Sequence, residues 1–145
     1  MKKVFLGILV VLILIQFIKP EKNDTKNWEK DITTELSVPE DIQKIIKVSC
    51  ADCHSNYTKY PWYNNIAPVS WWLAQHINRG KEHLNFSEWT GYNKNQKQHI
   101  INDLAEVLET HEMPLKSYLL NHEDAKMTKE QYAVFLEWVK TIPIE

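Results

Sequence analysis

The chain has 145 residues, one domain's worth. Its net charge of −2 argues against a nucleic-acid partner. Six Trp, six Tyr and four Phe supply large apolar faces, which a cofactor pocket needs and an ordinary core also uses.

Lys2 and Lys3 precede an apolar run from Val4 to Ile18, broken only by Gly7 and Gln16 and closed by Lys19-Pro20. A basic start followed by a hydrophobic segment reads as targeting or anchoring. As a helix the run reaches roughly 22–25 Å, against a hydrocarbon core of about 30 Å, a gap that snorkelling lysines can close. No small-x-small cleavage site follows it, and no cysteine for lipid attachment stands there. Residues 1–19 are therefore expected to form a transmembrane or signal helix, with a retained anchor favoured over a cleaved signal. Lys2 and Lys3 on the cytoplasmic side would put the rest of the chain outside. The expected location is the cytoplasmic membrane, crossed once, with the C-terminal domain in the periplasm.

Residues 20–36 are polar and charged without apolar periodicity, and read as a linker. The domain is expected over residues 37–145. Ser37-Val38-Pro39-Glu40 looks like a helix start with a capping box, followed by Ile42, Ile45 and Ile46 at helical spacing. This helix would run directly into Cys50. Residues 55–67 read as an ordered, aromatic-rich loop. A second helix is predicted from near Pro68, with Val69, Trp72, Leu73, His76 and Ile77 as its buried stripe and Gly80 as its C-terminal stop. Asn93 and Gln96 form the next capping box, ahead of an apolar face of Ile100, Ile101, Leu104, Val107 and Leu108. That helix must end by Glu112, because Met113-Pro114 disfavours its continuation. A short turn is predicted over 117–121. Thr128 and Gln131 cap a last helix bearing Tyr132, Phe135, Leu136 and Val139. The expected fold class is all-α: an N-terminal transmembrane or signal helix, then a small cytochrome c-like domain of about four helices with long loops.

Both cysteines lie in Cys50-Ala51-Asp52-Cys53-His54. On a helical turn, thiols three residues apart can reach two vinyl groups on neighbouring pyrroles, and the next residue carries an imidazole under the ring. This is the attachment pattern of one covalently bound haem c, with Cys50 and Cys53 as thioether residues and His54 as the proximal iron ligand. A thioredoxin-type dithiol, a zinc site using a distant His such as His111 or His122, and a simple disulfide are the competing readings. For the distal position Met113 is the leading candidate, since the following proline pushes it towards an extended conformation off any helix surface. Met127 fits better as a hydrophobic staple to Tyr132. His76 is the main rival, with His83, His99, His111, His122 or an open iron as further readings. Arg79, the one arginine, is a candidate propionate partner or a solvated helix-end cation.

Several segments together resemble the bacterial haem-binding domain proteins, small single-span chains bearing CxxCH. They are Gln16-Phe17-Ile18-Lys19-Pro20, Cys50 to Asn56, Pro61-Trp62-Tyr63, Ala67-Pro68-Val69-Ser70-Trp71-Trp72 and Met113-Pro114. The resemblance spans nearly the whole chain. It implies covalent haem at Cys50, Cys53 and His54, an extracytoplasmic place, and Met113 as second ligand. The expected function is one-electron transfer with another redox protein, because His/Met ligation leaves no open iron site. A haem-based sensor or gas-binding module with a displaceable sixth ligand is the alternative. No distinctive substrate machinery is visible, so an enzyme such as a peroxidase ranks third.

Overall fold

The computed structural model describes residues 1–143. Its α-helices are α1 (Lys2–Leu14), α2 (Glu40–Ile45), α3 (Ala51–His54), α4 (Val69–His83), α5 (Lys94–Thr110), α6 (Lys116–Leu119) and α7 (Lys129–Lys140). Short 3-10 turns join several of them, and no β-strand occurs among the described residues.

The core is built where isoleucines of α2 and the turn after it meet α5 and α7. Ile42, Ile45 and Ile46 pack with Ile100, Ile101 and Leu108 of α5 and with Phe135 and Val139 of α7. Phe86 and Trp89, on the 3-10 turn Phe86–Gly91, close this cluster together with Met127. Both capping boxes expected at the starts of α5 and α7 form, at Asn93/Gln96 and Thr128/Gln131. His111 adopts the left-handed conformation that ends α5 (φ 56°). The start of α2 differs from expectation: Pro39 is its N-cap and Ser37 contributes no cap.

The expected transmembrane helix is corrected. Among the described residues no helix is long and apolar enough to cross a membrane, so the single-pass anchor, and the periplasmic placement derived from it, lose their support. The apolar run splits. Its helical part, α1, has 13 residues, about 20 Å at the α-helical rise and well under a hydrocarbon thickness. A 3-10 turn, Ile15–Phe17, follows, and Ile18 is extended. The residues counted on for the end of the span dock onto the domain instead. The Gln16 amide bonds both sides of the Ala67 backbone, donating to its carbonyl at 3.1 Å and accepting from its N–H at 3.0 Å. The Trp71 indole N–H donates to the Ile18 carbonyl at 2.7 Å. The expected count of about four domain helices is also low, because α3 and α6 are single turns with too few residues to show a period.

Residues 20–36, expected as a linker, are part of the fold. Ile32 is 3 % exposed and belongs to the core. Asn23 donates its backbone N–H to the Tyr60 hydroxyl (2.7 Å) and its side-chain amide to the Ser55 carbonyl (2.8 Å) and Thr58 Oγ1 (2.9 Å). These contacts are polar or single, so they leave no periodic trace. A true linker would tolerate Ile32→Ala; here truncation is expected to cost about 2–5 kcal/mol, read as a lower denaturant midpoint in equilibrium unfolding.

Candidate functional site

The last turn before the motif, Ile46–Cys50, is a π-helical turn. Such insertions gather at functional sites. Here it begins at Ile46, which enters the core, and ends at Cys50, which leaves helical geometry (φ −128°). The single-turn α3 then carries Cys53 and His54, and Ser55 is extended.

Helix α4 lies across α3. A Cβ placed on Gly80 would stand 2.7 Å from the Cys53 carbonyl oxygen and 3.2 Å from its Cβ. Gly80 therefore does not stop α4, as expected from sequence; it lets the two backbones touch, and α4 runs on to His83. The predicted stripe of α4 is corrected by the same packing. Of its five residues only Ile77 is buried, while Val69 and Trp72 are exposed. The inner face holds Ser70 and Ile77, and the small residues Ser70 and Ala74 admit the docked segment after α1. Trp72 and His76 pair with each other instead, ring centroids 4.1 Å apart.

His54 is fixed by the far end of α4. Its Nδ1–H donates to the Leu84 carbonyl at 2.9 Å. That bond sets the tautomer and leaves Nε2 as the nitrogen with a free lone pair, the usual support given to a metal-binding imidazole. Burial holds the ring below its ordinary pKa of 6.5, although the Leu84 and Gly80 carbonyls pull the other way. The neutral, ligating form is thus the stable one near neutrality.

Cys50 and Cys53 are unpaired and half-buried. Burial pushes the Cys50 thiol up to about 12 and the Cys53 thiol up to about 11. A reactive dithiol needs the opposite shift, so the thioredoxin-type reading loses its chemical basis. Among the described residues no three His, Cys, Asp or Glu side chains converge as a metal site, and the zinc reading lacks its second ligand pair.

Asp52, between the cysteines, is used on every oxygen. Its carboxylate accepts from the Lys59 N–H and from the Tyr118 hydroxyl, each at 2.9 Å, and its carbonyl accepts from Thr58 Oγ1 at 2.6 Å. Met113 is half-buried and makes no hydrogen bond to the motif itself. Its carbonyl accepts from the Tyr132 hydroxyl at 2.8 Å, and burial holds that phenol above its ordinary pKa. The segment carrying Met113 thus meets the motif at Tyr118 and is tied to α7 at Tyr132. Met127 is buried in the core, as a staple should be. Arg79 is exposed, beside Glu82 on an open groove of about 640 Å³ against Lys19 and Pro20.

A family model described as a haem-binding domain matches residues 10–141. The chain belongs to the haem-binding domain family. Neither the curated proteins nor the solved structures yield a match. The match begins inside α1 and so takes in both the docked exit of that helix and the segment expected as a linker. The donor chemistry fits a haem: a neutral imidazole oriented through its other nitrogen, with two unpaired thiols on the adjoining turn.

Sequence reading missed Leu84, which acts through a backbone carbonyl and so carries no side-chain signal. It also missed Tyr118 and Tyr132, whose partners lie 66 and 19 residues away. Asp52 had a legible signal in its place between the cysteines. Gly80→Ala is expected to destabilise the fold by about 1–3 kcal/mol through backbone displacement, although alanine gains about 1 kcal/mol of helix preference. Urea unfolding of the variant checks the sign.

Proposed function

We propose that this haem-binding domain holds one haem c covalently and works as a one-electron carrier. The observation that carries the reading is the His54–Leu84 hydrogen bond, which presents Nε2 of a neutral imidazole beside two free thiols. In the proposed attachment each cysteine S–H adds across one vinyl double bond. Sulfur takes one vinyl carbon and the proton the other, with no net oxidation. Because the thiols stay protonated at neutral pH, they are protected from casual oxidation before that addition.

His54 and Met113 would hold the iron, through an imidazole nitrogen and a thioether sulfur. The group would supply a reversible one-electron couple, and thioether ligation favours a high potential. What the chain contributes is rigidity and shielding. Leu84 fixes the imidazole, Gly80 lets α4 press on the motif backbone, and the segment over 113–118 is tied down at Tyr132 and Tyr118. A tethered distal segment favours a filled sixth position over the open one that a sensor or peroxidase needs. The electron would pass to or from another redox protein through a small, weak contact.

Two variants test the reading in a host able to mature c-type cytochromes. Cys50→Ala with Cys53→Ala should leave no haem stain on a denaturing gel, and persistent stain rejects attachment there. Met113→Ala should abolish the weak long-wavelength band of thioether-ligated ferric haem. Rapid carbon monoxide binding by reduced wild type would instead favour the sensor.

A further inference from the structure

The segment that carries Met113 is attached to the motif helix at a single side-chain bridge, from Tyr118 to Asp52. Both ends of the bridge are held. Asp52 cannot swing, because its other carboxylate oxygen accepts the Lys59 N–H and its carbonyl accepts Thr58 Oγ1. Thr58 is in turn bonded by Asn23, whose Oδ1 accepts from the Lys81 ammonium at 2.7 Å. Tyr118 lies flat on His122, ring centroids 4.0 Å apart and planes 8° apart. The His122 Nδ1–H donates to the Tyr118 carbonyl at 3.0 Å. Burial, and after it the Asp52 carboxylate, hold the phenol far above its ordinary value, so it remains a donor. A phenol donating to a carboxylate in a half-buried place is a strong, charge-assisted hydrogen bond.

We infer that Asp52 and Tyr118 are positioning residues: they form a latch that fastens the Met113 segment to the haem-attachment turn. The inference rests on the reading of Met113 as distal ligand. The latch resists displacement of that ligand, since moving Met113 away strains or breaks the bridge five residues on. A second tie, Tyr132 to the Met113 carbonyl, holds the other end of the segment. The Asp52 position within the motif thereby does something that haem attachment alone does not require.

The test uses full-length holoprotein as wild type, Tyr118→Phe, Asp52→Asn and Asp52→Ala. Tyr118→Phe keeps the ring on His122 and removes only the hydroxyl. Ferric protein is titrated with imidazole while the thioether band is followed. Backbone hydrogen exchange over 113–119 is measured on the same samples. The latch predicts imidazole binding about tenfold tighter in Tyr118→Phe and in Asp52→Ala, with faster exchange in that segment. The double variant Tyr118→Phe/Asp52→Ala should be no worse than either alone. Asp52→Asn, whose amide oxygen still accepts, should fall between wild type and Asp52→Ala. Unchanged exchange over 113–119 in Tyr118→Phe overturns the latch. Faster exchange with unchanged imidazole affinity overturns its role in positioning Met113. Absence of the thioether band in wild type overturns the Met113 reading alone, and the exchange result then still decides the latch.

Discussion

At Gly80 the backbone of α4 comes so close to Cys53 that no other side chain fits, and four residues later the Leu84 carbonyl takes the Nδ1–H of His54. The two contacts depend on each other. Leu84 follows the last turn of α4, so its carbonyl can meet His54 only if the helix is already seated on the motif. A bulkier residue at 80 would lift the helix and carry the acceptor away. The imidazole would then lose its orientation, and a ring buried without a partner is costly. Cofactor chemistry in this fold thus begins with a van der Waals constraint between two backbones.

The rest of the molecule holds α4 in place. Gln16 and Ile18 grip its N-terminal approach at Ala67 and Trp71. Asn23 joins Lys81 of α4 to Ser55 and Thr58, just past the motif. Ser87 and Asn85, just past α4, bond Asn56. The segment ahead of α2, α4 itself and the motif are therefore one polar-stitched unit. The isoleucine core of α2, α5 and α7 forms its foundation, and the π-helical turn at Ile46–Cys50 is the joint between the two. The family match, over residues 10–141, takes in Gln16 and Ile18, which help to seat α4.

What was legible in the sequence was local. The capping boxes at Asn93/Gln96 and Thr128/Gln131 are spacing signals, and so are the isoleucines of α2 and the apolar faces of α5 and α7. The Cys50–His54 pattern is likewise contiguous. Elsewhere long-range packing overrules local pattern. Val4–Ile18 has the composition of a span, but Gln16 is spent on the Ala67 backbone and the helix ends at Leu14. The stripe Val69–Trp72–His76 has the period of a buried face, yet close approach selected the small residues Ser70, Ala74 and Gly80 instead. Residues 20–36 look like a tether because their attachments are scattered and without period: Asn23, Ile32, Leu36 and the Glu35 carboxylate, which accepts from Lys97. The latch at Tyr118 spans 66 residues and shows in no window of the sequence.

In the proposed function this seated motif carries one porphyrin through two thioether bonds. Intact mass spectrometry of the full chain, produced in a cytochrome-maturing host and denatured in acid before analysis, tests it most directly. The expected polypeptide is heavier than its amino acids by one haem and falls to the bare mass when both cysteines are alanine. A wild-type chain at its bare mass, with the porphyrin extracted into the acidic solvent, would contradict it.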